Sequence, residues 1–164
     1  MTPSLPHFAI RDAHPDDLET IVAFNASLAE ETEGQGLDLR TLRLGVRAAL
    51  AKPDRLRYWV AERDSQLLGQ AAVTREWSDW RNGWLWWFQS VYVRPEARGL
   101  GVFRALHDHI RHLAQAKPNV VGLRLYVEAE NEKAQRIYQA LGFVPAGYQV
   151  FEEIWSRPID RPSV

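Results

Sequence analysis

The sequence predicts an α/β (α+β) fold: a mixed, mostly antiparallel central sheet of about six to seven strands, with four main helices on its faces. Three observations carry this. Two segments of helical period follow the first strand-like stretch, three strand-like stretches joined by tight turns come next, and helix and strand signals then alternate to the end. A chain of 164 residues, 46% hydrophobic and 25% charged, fills one substantial core, so residues 1–164 are expected to form a single domain.

Each element follows from local chemistry. Phe8 to Arg11 reads as a short strand, with His14 as an N-cap, Pro15 at the first helical position and Asp16 and Asp17 in the first turn. Leu18, Ile21, Val22, Leu28 and Ala29 form an apolar stripe that ends in the acidic, glycine-bearing stretch from Glu30 to Gly36, read as a loop. Asp38 caps a second helix with Leu39, Leu42, Val46, Ala49 and Leu50 inward and Arg40, Arg43 and Arg47 outward. Leu56 to Arg63 and Leu67 to Glu76 make a hairpin around Asp64 to Gln66, and Asn82-Gly83 turns the chain into the aromatic strand from Trp84 to Val93. A helix from about Val102 to Ala116 carries Val102, Phe103, Leu106, Ile110 and Leu113 on one face, and Pro118-Asn119 breaks it. Val120 to Val127 is a strand, Asn131 to Leu141 a helix stopped by Gly142, and Phe143 to Trp155 a strand-like run with no clear turn. The tail from Arg157 is expected to be loose.

Composition narrows the function. The net charge is −1 with both signs interspersed, which argues against nucleic acid as a partner. The longest apolar run, Trp84 to Phe88, is far short of a bilayer span, and the polar, proline-bearing N-terminus lacks a signal-peptide core; a cytoplasmic protein without membrane contact is expected. There is no cysteine, which excludes a thioester on the enzyme and thiolate metal sites. Five of the seven tryptophans lie between Trp77 and Trp87, as core or as a dimer or acceptor surface. No metal site is expected. His107 and His109 stand about 160° apart around their helix, and His109 and His112 lack a third ligand.

The informative segment runs from Val91 through Arg94-Pro95-Glu96-Ala97-Arg98-Gly99-Leu100-Gly101 to Leu106: a strand, a glycine turn and a helix start. There the free N–H groups of residues 99 to 104 converge at the positive end of a helix dipole, and two missing side chains let a phosphate approach. A Gly-x-Gly turn alone is weak evidence, since glycines often just permit tight turns. A second segment adds weight. Asn131, Ala134, Tyr138, Gly142 and Phe143 fall at relative positions 0, 3, 7, 11 and 12, which places Asn131 and Tyr138 on one helical face.

Together, in this order, the two segments resemble the GNAT superfamily of acetyltransferases. The resemblance implies acetyl-coenzyme A as co-substrate, held between the splayed strands Trp84 to Val93 and Val120 to Val127. It implies a pyrophosphate site on Arg98, Gly99, Gly101, Val102, Phe103 and Arg104, with Asn131 contributing, and a pantetheine arm paired with the backbone of Val91 and Val93 as an added strand would pair. One amide there is placed to polarise the thioester carbonyl. Phe103 stands where the family usually has glycine or alanine; turning into the core would leave its amide available. Tyr138 matches the general acid that protonates the departing thiolate. Gln89 takes the place of the family's frequent glutamate base, and glutamine is no base. Glu76, Asp79, Glu128, Glu30, Glu31 and Glu33 are alternatives; Glu33 and Glu76, with Gln89, are the expected acceptor-binding residues, drawing in a cationic amine.

The expected activity is N-acetyl transfer, by direct attack, onto the primary amine of a small molecule. A non-catalytic acyl-coenzyme A binding module and a protein N-terminal or lysine acetyltransferase are the competing readings. The aromatic hairpin with Asp79 and Arg81 suits an aromatic or zwitterionic acceptor or a homodimer seal, and the unturned run after Phe143 also leaves a homodimer open.

Overall fold

A computed structural model describes residues 8–155, which fall in two compact units, 8–126 and 127–155. The tail expected to be loose from Arg157 lies outside the described residues.

In the first unit, β1 (Ala9–Asp12), β2 (Arg57–Arg63), β3 (Gln66–Ser78), β4 (Gly83–Val93) and β5 (Val120–Leu125) form one sheet in chain order. The first three pairings are antiparallel and β4 pairs with β5 in parallel, because α3 (Val102–Gln115) carries the chain back between them. Five strands replace the expected six to seven. The run from Phe143 to Trp155 forms no strand among the described residues, although its apolar residues alternate in places as a strand's would. A strand needs a pairing edge, and no described strand pairs with this run.

The hairpin turns follow their residue chemistry. Asp64 and Ser65 both adopt positive φ (51° and 62°), the two-residue turn whose twist matches its flanking strands. At the β3–β4 hairpin Asn82 takes positive φ (47°), but Gly83 does not and is instead the strand residue paired with Ser78. Gly83 is required for space: a Cβ there would collide with Val121 Cγ1 and stand 3.1 Å from the Asn119 carbonyl.

One sheet face is covered by α1 (Leu18–Glu33) and α2 (Leu39–Ala51), the other by α3. Ile21 and Val22 of α1 and Val46 and Ala49 of α2 cluster with Tyr58 and Ala72 of the sheet, while Phe24 packs with Val60, Leu67 and Tyr92. Asp38 caps α2 as expected, accepting from the Thr41 amide at 2.8 Å. Leu39, expected inward, is about half exposed, since it is the first residue of the helix and precedes the buried stripe. Of the three outward arginines, Arg43 pairs with Glu19 of α1 at 2.9 Å. On α3, Val102, Leu106 and Ile110 are buried as the period requires, and full burial of each contributes at most about 1.5–3 kcal/mol.

Two corrections concern α1. Its apolar stripe includes Phe24 and a buried Asn25, which spacing alone did not mark. The helix also runs on through Glu33 and stops at Gly34 in the left-handed region (φ 63°), so Glu30, Glu31 and Glu33 occupy its last turns rather than a loop. Its first turn is anchored by Arg11, which forks onto both Asp17 oxygens (2.8 and 3.0 Å) and also bonds Glu62. Burial pushes the Asp17 carboxyl up, but the bonds from Arg11 and the His14 amide outweigh it and hold it below the ordinary carboxylate range.

Gly69 of β3 lies where sheet and α3 meet. A Cβ there would stand 2.7 Å from the Tyr92 carbonyl and 3.1 Å from Val102 Cγ1. Gly69→Ala should therefore lower stability by about 1–3 kcal/mol, because the nearest obstacle is backbone and cannot rotate away. An unchanged urea midpoint would contradict this.

The second unit contains α4 (Glu132–Ala140), which starts one residue later than expected because Asn131 is its N-cap, accepting from the Ala134 amide at 3.0 Å. Gly142, at φ 96°, ends it: its amide donates to the Gln139 carbonyl, and that of Phe143 to the Tyr138 carbonyl, each at 3.0 Å. This is the paired closure that a left-handed glycine allows, and the Tyr138 and Phe143 rings meet edge to face at 6.2 Å as its apolar seal.

Candidate active site

The glycine turn has the geometry of an anion cradle. After β4, Arg94-Pro95 leads into a short 3₁₀ turn, and Gly99 and Gly101 both take left-handed conformations (φ 81° and 82°) before α3 begins. A Cβ at either would meet nothing within 4 Å, so the space above them is open to a ligand. Gly101 is the N-cap of a 14-residue helix and no side chain caps it. The first amides of α3 lie at its positive end. Phe103 turns its ring toward Phe88 (6.4 Å) and His107 (6.3 Å).

Beside the cradle, β4 presents a free edge. Its ladder with β5 ends at the pair Phe88–Leu125, yet β4 continues to Val93. The backbone from Gln89 to Val93 is thus paired only on the β3 side among the described strands. Val91 and Val93 are half-buried and flank the buried Tyr92, whose ring packs on Phe24 at 5.1 Å. This open edge fits an extended amide-bearing ligand, which would bond to it as an added strand.

Within that edge the strand is broken by a bulge that sequence reading missed. Gln70 pairs with Tyr92 and Ala72 with Gln89, so Ser90 and Val91 together oppose Ala71. Ser90 takes φ 50°, at a cost of about 1–2 kcal/mol for a residue with a Cβ. A serine in a strand carries no signal of this.

The other site residues fall as follows. Arg98 is at the cradle, but its guanidinium bonds Glu31 (2.7 and 3.0 Å) and the Val93 carbonyl (3.0 Å), tying the turn to the end of α1. Arg104 is exposed on the first turn of α3. Gln89 is half-buried on β4, and Glu33 is exposed on the last turn of α1. Glu76 accepts from Trp87 Nε1 at 2.7 Å and from Arg124 at 3.4 Å. Trp87 in turn stacks on Tyr126 at 4.4 Å, so Glu76 belongs to a partly exposed patch of two aromatic rings and one ion pair. Of the other acidic candidates, Asp79 lies in the hairpin turn, and Glu128, in the second unit, is exposed.

Tyr138 and Asn131 share α4 in the second unit. Tyr138 is half-buried, and burial pushes its phenol above the ordinary tyrosine value. Asn131 uses its side-chain oxygen to cap its own helix. Among the histidines, His107 is buried against Phe88 at 6.0 Å with Nδ1 3.0 Å from Asp108, and His109 meets the edge of Trp59 at 6.5 Å. No cluster of three metal-capable side chains occurs among the described residues, and no helix among them is long and apolar enough to cross a membrane.

Known proteins resemble this chain in sequence and fold. A possible acetyltransferase from Clostridium difficile 630 is 41% identical, with a TM-score of 0.84 over 92% of this chain and 99% of that one. A predicted acetyltransferase from Clostridium acetobutylicum, crystallised with acetyl-CoA, has the same fold at 19% identity (TM-score 0.74, 90% of this chain and 96% of that one). The mycothiol acetyltransferase of Streptomyces coelicolor is 34% identical over 134 residues, 79% of this chain. That of Paenarthrobacter aurescens is 49% identical over 55 residues, 33% of this chain. The chain spans only 40% and 16%, respectively, of the length of these two relatives. Residues 54–145, which include the glycine turn and Tyr138, match the family described as the acetyltransferase (GNAT) domain. This chain belongs to the GNAT acetyltransferase family.

Proposed function

We propose that residues 1–164 act as one acetyl-CoA-dependent N-acetyltransferase domain that moves an acetyl group, by direct attack, onto the primary amine of a small molecule in the cytoplasm. The observation that carries this reading is the pair of left-handed glycines before α3, open on their ligand side, next to a strand whose edge is unpaired from Gln89 to Val93. Acetyl-CoA supplies an activated acetyl group as its thioester. The chain supplies the rest: the Gly99 to Arg104 amides hold the diphosphate, the β4 edge orients the pantetheine, and an outward β4 amide withdraws charge from the carbonyl. Tyr138 gives its proton to the departing sulfur.

Gln89 cannot take the proton of an ammonium, so the amine must arrive neutral or lose its proton to water or a carboxylate. Glu76 is already engaged by Trp87 and Arg124, which suits it to shaping the acceptor patch with Gln89 and Glu33. A small-molecule acceptor is supported by the name of the mycothiol acetyltransferase relatives.

The test is release of free coenzyme A from acetyl-CoA against a panel of small amines, aromatic and zwitterionic ones included, and against peptides. Acetylation of a small amine is expected. Tight cofactor binding with no turnover on any acceptor would instead support the binding module, and turnover on peptides alone a protein acetyltransferase.

A further inference from the structure

The Ser90 bulge is held by a buried polar network spanning four elements. Gln70 of β3 is fully buried (0% exposed), and its Nε2 donates to the Ser90 carbonyl at 3.0 Å and to Asn25 Oδ1 of α1 at 2.8 Å. Asn25 Nδ2 donates in turn to the Tyr58 hydroxyl of β2 at 3.2 Å. Gln70 Oε1 has no hydrogen-bond partner among the described residues. Such a network has to be built as a whole: an apolar residue at 70 would leave Asn25 Oδ1 and the Ser90 carbonyl without their donor.

The geometry of one peptide unit gives the amide a use. No peptide bond among the described residues is cis, and in a planar trans unit the C=O and the following N–H point in opposite directions. Drawing the Ser90 carbonyl inward onto Gln70 therefore turns the Val91 N–H away from the network. We propose that Gln70, oriented by Asn25, is a positioning residue: it locks the Ser90 bulge so that the Val91 amide is aimed at the carbonyl oxygen of a thioester lying along the open β4 edge. This rests on the acetyltransferase reading, and what it adds is that the aim of the amide depends on one buried side chain.

The first arm of the test uses the wild-type protein, following backbone amide NMR signals as acetyl-CoA is added. Movement of the Gly99, Gly101 and Val91 amides together is expected. Movement at the glycines with Val91 unmoved would overturn the proposal and leave the cofactor reading standing, whereas no movement anywhere would remove both.

The second arm is Gln70→Met, near-isosteric and without donors. Its melting temperature should fall, because Asn25 Oδ1 and the Ser90 carbonyl lose their donor, but its acetyl-CoA Kd should stay within about threefold, while kcat falls at least tenfold, approaching the roughly 10²–10³-fold loss of a deleted oxyanion donor. Unchanged kcat would refute the role. Gln70→Glu keeps the shape but donates to the Ser90 carbonyl only when protonated. Its kcat should therefore rise as pH falls, relative to wild type, and parallel pH profiles would count against the proposal even if the methionine variant does not fold.

Discussion

Gly101→Asp should raise the dissociation constant for coenzyme A by about 10²-fold or more while leaving the protein folded. The new carboxylate would lie at the N-cap of α3, where it satisfies the same amides that a diphosphate needs and repels its charge. Hydrogen bonds to a charged group contribute about 1.5–3 kcal/mol each, so losing two corresponds to at least a hundredfold. Stability should change little, because a favourable N-cap offsets the strain of φ 82° and a Cβ there meets nothing within 4 Å. Gly101→Ala supplies the same strain without charge and should cost much less affinity. Titration calorimetry on both variants separates the two effects, and equal losses would mean that backbone conformation, not anion binding, is what the glycine provides.

Tyr138→Phe should bind acetyl-CoA as wild type does and turn over about 10²-fold more slowly. General acid catalysis contributes roughly 10²–10⁴, and the lower end is expected here. Burial raises the Tyr138 phenol, which keeps it protonated across the neutral range but makes it a weaker donor to a thiolate whose own pKa is near 8.5. Phenylalanine retains the edge-to-face contact with Phe143 that seals the end of α4, so the fold should be spared. The wild-type kcat profile should fall on the alkaline side only above the ordinary tyrosine range, and that limb should vanish in the variant. A full rate in Tyr138→Phe would assign the proton to water.

Where local chemistry decides, the sequence was legible. The αL stop at Gly142, the Asp38 cap, the Asp64-Ser65 turn and the α3 stripe each follow from a few neighbouring residues and were expected at these places. The Gly99–Gly101 turn was equally legible as a turn, because two glycines between a strand and an apolar helix mark left-handed backbone there. Glu30 to Gly36 misled because acidic, exposed residues suit a loop and a solvated last helical turn alike; only the position of Gly34 separates them. The strand expected from Phe143 to Trp155 failed because alternation describes a side-chain pattern, while a strand also needs an edge to pair with.

By itself the sequence determined the order of the helices and of the first five strands, the glycine turn and the family, since periodicity, caps and glycine turns are written in contiguous residues. Only the tertiary structure decided that Gly83 is a matter of space, that β4 parts from β5 after Phe88, and that a serine in mid-strand sits in a bulge with its carbonyl bonded by a glutamine twenty residues earlier. These depend on which distant chain segments meet, and contacts between residues 20 to 45 apart, such as Gln70 with Ser90 and Asn25, leave no local pattern to read.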